Sequence, residues 1–151
     1  MIFREAQPQD IPQIQVVRNA VKENMLSNPA LVTDADCLEF ITQRGKGWVC
    51  IIDNTVTGFA IADLQDQNIW ALFIDPDFEG KGIGTTLQKI MLDWYFAQGK
   101  AQVWLGTAPG TRAEQFYHKS GWVLNGTNGP KEVRFEMTAL QWQALTSGKQ
   151  A

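Results

Sequence analysis

Between residues 11 and 25, apolar residues recur at intervals of three and four positions, which is the spacing of one helix face. Asp10 and Gln13 have the spacing of a capping box at the start of this helix. A second helix is predicted over Thr33–Arg44, because Gly45 follows it as a stop signal. The apolar face of the first predicted helix consists of Ile11, Ile14, Val17, Val21 and Met25.

Short apolar segments separated by turns follow the second helix. Turns at Asp53–Asn54 and Gln65–Gln67 divide three strand-sized segments, which indicates an antiparallel meander. A glycine-rich turn then precedes a long helix that Gly99 ends. The remaining elements are a helix over Thr111–Lys119 and short strands. The predicted strands are residues 2–6, Trp48–Ile52, Val56–Asp63, Asn68–Ile74, Gln102–Leu105, Trp122–Leu124 and Val133–Met137.

This order of elements predicts an α/β (α+β) fold. We expect one mixed, mostly antiparallel central sheet of about seven strands with helices on both faces. The chain of 151 residues suits a single domain. We place that domain at residues 1–140 and expect a polar C-terminal tail at residues 141–151.

Composition excludes several classes of function. The chain has a net charge of −3, whereas a nucleic-acid-binding protein usually carries an excess of basic residues. The first ten residues are charged and the apolar stretches are strand-sized, so we predict neither a signal peptide nor a membrane segment. Cys37 and Cys50 form no CxxC pair, and His118 is the single histidine, which argues against a metal site. We expect a cytoplasmic protein with reduced cysteines and no metal, nucleic-acid or membrane partner.

The glycine-rich segment Phe78–Gly84 lies between a predicted strand and a predicted helix. Glycines let a bulky anion approach backbone N–H groups at the positive end of a helix, so this turn suits a phosphate. It fits neither a Walker loop nor a dinucleotide fingerprint, since no glycine stands at Thr85 or Leu87 where the latter requires one. The alternative interpretation is a plain tight turn.

A second motif lies about thirty residues further on and contains Ala113, Phe116, Tyr117, Gly121 and Trp122. Together with Glu79–Gly84 it resembles the GNAT superfamily of N-acetyltransferases, and in particular a bacterial subgroup of such enzymes. The element order resembles that family over about residues 1–140. Two positions depart from its pattern: Glu79 replaces the usual Gln or Arg, and Gly110 replaces a frequent Asn. We expect the Glu79 side chain to point into water and to weaken anion binding without abolishing it.

The resemblance implies acetyl-CoA as cosubstrate and a primary amine as acceptor. It implies a pantetheine arm along Trp70–Ile74, contacting Phe73 and Ile74, and a backbone N–H near Leu72–Ile74 that stabilises the oxyanion. The diphosphate would lie on the backbone of the turn. The residues implied for that contact are Glu79, Gly80, Lys81, Gly82, Ile83, Gly84 and Thr85.

The resemblance also implies that Tyr117 is the general acid that protonates the leaving thiolate. The alternative is that Tyr117 is a core aromatic residue beside Phe116. The general base stays open between Glu23, Glu39 and water. The implied acceptor site contains Glu23, Asn24, Ser27 and Trp70.

These expectations predict an N-acetyltransferase that moves an acetyl group from acetyl-CoA to a primary amine of a small molecule. Two alternatives stay open. One is a non-catalytic acyl-CoA-binding regulatory module, and the other is an acetyltransferase acting on protein lysines or N-termini. A homodimer is a further open alternative.

Overall fold

The computed structural model describes residues 1–21 and 32–148 of the chain. Its residues form two compact units, Met1–Met91 and Leu92–Ala151. The first unit contains strands β1 (Ile2–Glu5), β2 (Gly45–Ile52), β3 (Thr55–Asp63) and β4 (Asn68–Ile74), with helices α1 (Ile11–Ala20) and α2 (Asp34–Glu39). Helix α3 (Ile83–Ala97) is divided between the units. The second unit adds β5 (Gln102–Thr107), α4 (Arg112–Lys119), β6 (Val123–Thr127), β7 (Val133–Thr138) and α5 (Ala139–Gly148).

The first four strands pair as antiparallel neighbours in chain order. The predicted meander is therefore confirmed. Asp53 and Asn54 both have positive φ, 51° and 62°, in the turn between β2 and β3. That pair of left-handed residues matches the twist of the two flanking strands and makes a tight hairpin.

Helix α1 packs Ile14 and Val17 against β3, and both side chains are buried with Phe59 and Ile61 in one apolar cluster. Burial of this stripe away from water is the main force that holds the helix on the sheet. The helix ends at Ala20, with Val21 in extended conformation. It is thus shorter than the predicted face, and the predicted core residue Met25 lies outside the described residues.

The predicted capping box of Asp10 with Gln13 is wrong. The Asp10 carboxylate accepts hydrogen bonds from Gln7 N at 2.7 Å and from Arg4 Nη1 at 2.7 Å. Gln13 Oε1 accepts a hydrogen bond from Val56 N on β3 at 2.8 Å. Asp10 thus caps the turn that precedes α1. Gln13 contacts a strand 43 residues away in the sequence, which the local pattern does not encode.

The second predicted helix is present, and its predicted start is confirmed. Asp36 N donates to Thr33 Oγ1 at 3.1 Å, and Thr33 N donates to Asp36 Oδ2 at 2.9 Å. The helix continues from α2 into a π-helical turn over Phe40–Arg44. At its end, Arg44 Nη2 bonds the carboxylates of Asp63 at 2.6 Å and Asp66 at 2.8 Å.

In the second unit, β7 pairs in antiparallel fashion with both β5 and β6. All seven strands expected from the sequence are present, although β6 begins at Val123 and leaves Trp122 before it. No helix among residues 1–21 and 32–148 is long and apolar enough to cross a membrane.

The sequence analysis missed helix α5, which occupies part of the region expected to be a tail. Its start is capped by Thr138 and Gln141: Gln141 N donates to Thr138 Oγ1 at 3.1 Å, and Thr138 N donates to Gln141 Oε1 at 2.8 Å. Trp142 is only 6% exposed, and its Nε1 donates to Asp93 Oδ1 on α3 at 2.8 Å. The spacing Thr138-x-x-Gln141 is the sequence signal that could have located this helix. The division into a domain at 1–140 and a tail stays a prediction.

Substituting Trp142→Ala tests the anchoring of α5. We expect a loss of about 3–5 kcal/mol in the free energy of unfolding, because a large buried side chain and its hydrogen bond disappear. Leu140→Ala in the same helix is the matched control, since Leu140 is 78% exposed. It should change that free energy by less than about 0.5 kcal/mol. Urea unfolding monitored by circular dichroism measures both. Equal effects of the two substitutions would contradict the docking of α5 through Trp142.

Candidate functional site

The glycine turn follows β4 and a short 3-10 helical turn over Pro76–Phe78. Gly80 and Gly82 have φ values of 78° and 79°, in the left-handed region that favours glycine. A Cβ atom on either residue would meet no heavy atom within 4 Å. The backbone of the turn is therefore open on the side where side chains would project.

Helix α3 begins directly after this turn. Its first intrahelical hydrogen bond runs from Thr86 N to Gly82 O at 3.1 Å. The N–H groups of Ile83, Gly84 and Thr85 precede that bond and have no partner within the helix, and the helix dipole makes this end positive. This arrangement can bind an anion through the backbone.

Three acidic residues, Asp75, Asp77 and Glu79, lie in or just before the turn. Asp75 Oδ1 accepts a hydrogen bond from Asp77 N at 2.9 Å, so Asp75 caps the 3-10 turn. Glu79 and Lys81 are both exposed to solvent. An exposed carboxylate is well screened by water and salt, so the acid at position 79 opposes a nearby anion only weakly.

Close packing at Gly58 on β3 helps to position the turn. Gly58 pairs with Ile74 at the end of β4. A methyl group in place of its hydrogen would come within 2.8 Å of Ile74 Cδ1 and 3.1 Å of Ile83 Cγ2. Asp75 N also donates to Thr57 O at 2.8 Å, which carries the pairing one residue beyond the strand. The end of β4 and the start of α3 are thus both held against β3.

Trp70, which the sequence analysis placed in the acceptor site, lies in an aromatic cluster with a buried arginine. The Trp70 and Phe40 rings stack with centroids 3.9 Å apart. The Arg18 guanidinium carbon lies 4.9 Å from the Trp70 ring centroid, 5.1 Å from that of Phe73 and 5.6 Å from that of Phe59. Phe73, which the sequence analysis assigned to the cofactor, therefore contacts Arg18.

Arg18 itself was missed by the sequence analysis. Its spacing of four residues from Ile14 puts it on the apolar face of α1, which is the signal that could have identified it. The residue is 8% exposed, and burial lowers the pKa of its guanidinium. The other residues predicted for the acceptor site, Glu23, Asn24 and Ser27, lie outside the described residues.

Tyr117 belongs to the second unit and lies on α4, whose first turn is capped by Thr111. The residue is 6% exposed, and its ring contacts those of Phe116, Trp122 and Phe135 at centroid distances of 5.3–5.9 Å. Burial raises the pKa of the Tyr117 phenol, because the charged phenolate is poorly solvated there. The residue is thus both a core aromatic and a phenol that keeps its proton.

The remaining candidate groups have ordinary surface partners. Glu39 is exposed and its carboxylate lies 3.9 Å from Arg44 Nη1. His118 Nε2 lies 3.7 Å from the Glu114 carboxylate, and Gly110 N donates to Glu114 Oε1 at 2.8 Å. Within residues 1–21 and 32–148 no group of three His, Cys, Asp or Glu side chains could hold a metal ion.

Comparison with known proteins identifies a family. The model of the acetyltransferase (GNAT) family matches residues 14–122, well over half of the chain. The chain is 32% identical over 79 residues to uncharacterized N-acetyltransferases of Mycobacterium bovis and Mycobacterium tuberculosis. That match covers 50% of this chain and 51% of those proteins, so it spans about half the length of the curated relatives.

Solved structures share the fold. The PaiA N-acetyltransferase of Thermoplasma acidophilum, solved with coenzyme A, superposes with a TM-score of 0.79 at 17% identity, covering 91% of this chain and 98% of that one. The ribosomal-protein-alanine N-acetyltransferase of Brucella melitensis gives 0.73 at 18% identity, covering 91% and 99%. The α/β fold class predicted from the sequence is therefore confirmed.

The raised pKa of Tyr117 predicts a dependence of stability on pH. Above about pH 10 the unfolded chain loses this phenolic proton while the folded protein keeps it, so unfolding is favoured as the pH rises. We expect wild type to lose about 1 kcal/mol more than Tyr117→Phe between about pH 9 and about pH 11. Urea unfolding of both proteins across this range measures the difference. Parallel curves for the two proteins would show that the phenol titrates normally.

Proposed function

The chain belongs to the acetyltransferase (GNAT) family, and from this premise we propose that it transfers the acetyl group of acetyl-CoA to a primary amine of a small molecule. The observation that carries the proposal is the open glycine turn at the start of α3. Gly80 and Gly82 leave the backbone uncovered, and the first amides of the helix supply donors for a diphosphate.

In this proposal the diphosphate of acetyl-CoA binds to the backbone of the glycine turn. The residues of that contact are Glu79, Gly80, Lys81, Gly82, Ile83, Gly84 and Thr85. The strand β4 binds the pantetheine arm through Phe73 and Ile74. A backbone N–H of Leu72–Ile74 donates to the acetyl oxygen as negative charge develops there. Acetyl-CoA supplies the activated thioester, and the chain orients it.

The chemical step is a direct attack. The amine nitrogen forms a bond to the acetyl carbon, the carbon–sulfur bond breaks, and Tyr117 Oη gives its proton to the departing sulfur. The phenol carries its proton at neutral pH, as any tyrosine does. Burial raises its pKa and so makes it a weaker proton donor, which the departing thiolate has to overcome. The proton that the amine loses goes to water or to Glu23. Glu39, in its surface contact with Arg44, receives no role.

A second candidate function is a non-catalytic acyl-CoA-binding module. The lack of a convincing general base favours it: Glu39, the candidate base among the described residues, is an exposed acid 3.9 Å from Arg44 Nη1. Glu79 stands where the family has Gln or Arg, so the turn also departs from the pattern of the active enzymes. Both candidates need the same glycine turn. They differ in whether Tyr117 takes part in a reaction, so its substitution separates them.

Substituting Gly82→Asp tests the turn. The added carboxylate projects into the open side of the turn and repels the diphosphate, so we expect no detectable binding of acetyl-CoA by calorimetry. Gly99→Asp is the matched control, because Gly99 also has positive φ and open space around a Cβ but follows α3. Its Kd should stay within about threefold of wild type. Full affinity in a folded Gly82→Asp protein would place the cofactor elsewhere.

Substituting Tyr117→Phe tests catalysis. The ring and its packing remain while the proton donor is lost, so we expect kcat to fall by about 10²–10⁴-fold. The affinity for acetyl-CoA should barely change, because the proton is needed only in the transition state. Thiol release measured with an accepted amine gives kcat. A mutant that retains more than about a third of wild-type kcat, with chemistry rate-limiting, would remove the acid role from Tyr117.

A further inference from the structure

Arg18 is a buried cation, and part of its hydrogen-bonding capacity is not used within the described residues. Its Nε and Nη2 atoms are buried and have no hydrogen-bond partner in the part of the chain that the structure describes. Of the neighbouring groups, three aromatic rings face the guanidinium. Cation–π contacts offset part of the cost of burying this charge, but they satisfy no N–H group.

Arg44 provides a contrast within the same unit. Its guanidinium carbon lies 4.5 Å from the Phe40 centroid, and Phe40 stacks on Trp70. The Phe40 and Trp70 rings lie too close together for a guanidinium to fit between them. The groups therefore follow one another in the order Arg44, Phe40, Trp70, Arg18. Arg44 is paired with the carboxylates of Asp63 and Asp66, whereas Arg18 pairs with no carboxylate of the described residues.

A buried charge with unsatisfied donors destabilises the folded state, because the ion loses its hydration and gains no equivalent partner. The sequence position does not require it, because an apolar side chain would continue the face of α1 formed by Ile14 and Val17. A cost of this kind is expected at residues that serve binding or catalysis.

The two unpaired atoms determine which ligand fits. Nε and Nη2 form one edge of the planar guanidinium, and their N–H groups lie parallel, matching the two oxygens of a carboxylate. A carboxylate carries one negative charge, so its pair with the Arg18 guanidinium would be neutral overall among the aromatic rings. A phosphate dianion would leave excess negative charge against the electron-rich faces of Phe59, Trp70 and Phe73, which is unfavourable.

We propose that Arg18 is a specificity-determining residue that binds a carboxylate of the acceptor, so that the acceptor is a small amine bearing a carboxylate. This inference rests on the proposed function for the amine, whereas the contact with the carboxylate does not depend on catalysis. The edge formed by Nε and Nη2 is shielded from solvent in the structure, so the proposal requires neighbouring side chains to shift when the ligand binds. The contact then made is dry, which strengthens it.

The first experiment measures binding without reaction. Wild type, Arg18→Met and Arg18→Lys are titrated by calorimetry with α-amino acids, ω-amino acids and dipeptides, each compared with its carboxamide. We expect at least one acid to bind wild type at least about tenfold more tightly than its amide, as for a hydrogen bond to a charged group. Arg18→Met should remove the preference, and Arg18→Lys should restore only part of it, because lysine lacks the planar fork.

Two outcomes overturn the proposal. One is that no carboxylate in the panel binds wild type more tightly than its amide. The other is that Arg18→Met keeps the preference while circular dichroism shows a native fold. Thermal unfolding adds a readout that separates ligand binding from a purely structural role. Arg18→Met should unfold at the same or a higher temperature than wild type, because the unpaired charge is gone, and a large decrease would assign Arg18 to structure.

The second experiment separates this inference from the proposed function. Acetyl transfer is measured on the same panel and on amines without a carboxylate. Equal kcat/KM for an amine with and without its carboxylate would leave the proposed function standing and overturn the role of Arg18. Conversely, Arg18-dependent binding of carboxylates by a protein that binds no acetyl-CoA would overturn the proposed function and leave the carboxylate contact standing.

Discussion

The arrangement of the first unit depends on the close approach of β3 to the point where β4 ends and α3 begins. Gly58 allows this approach, since a Cβ atom there would lie only 2.8 Å from Ile74 Cδ1 and 3.1 Å from Ile83 Cγ2. Those two isoleucines anchor the strand and the helix on the same backbone segment. The segment between them, which contains the glycine turn, is therefore held against β3 at both ends. Backbone N–H donors that are preorganised in this way bind an anion without first paying to be ordered.

Arg44 and Arg18, at the two ends of the Phe40–Trp70 stack, have different partners. Arg44 closes the π-helical turn by bonding Asp63 and Asp66, which ties the end of the helical segment to the hairpin between β3 and β4. Arg18, on the far side of the Phe40–Trp70 stack, has aromatic faces and no such carboxylate among the described residues. The first contact stabilises the fold, whereas the second leaves a dry cation with two unused donors. The difference in partners is the basis for assigning the second to a ligand.

In the second unit, burial determines the character of Tyr117. Its ring is packed among Phe116, Trp122 and Phe135, so the core and the candidate acid are the same residue. The two interpretations that the sequence left open are physically compatible. Packing excludes water, and the exclusion of water is what raises the pKa of the phenol and keeps its proton in place.

Local patterns determined most of the secondary structure. The strands of the meander, the Thr33–Asp36 capping box and the glycine turn all follow from residues within a few positions of one another, where period and capping chemistry act. The same kind of signal, Thr138 with Gln141, marks α5 and was overlooked. The residues proposed for the candidate site come from the two family motifs.

Only the tertiary structure decided which side chains meet across the sequence. Gln13 accepts a hydrogen bond from β3 rather than from its own helix, and Arg44 donates to Asp63 at the end of β3. Gly58 lies in close contact with two isoleucines on other elements. Arg18 shows most clearly how far a local sequence pattern can predict a side chain's environment. Its spacing from Ile14 predicts burial, but the rings of Phe59, Trp70 and Phe73 come from two later strands. A local pattern fixes which face a side chain occupies, whereas its partners and hence its charge environment depend on packing between distant segments.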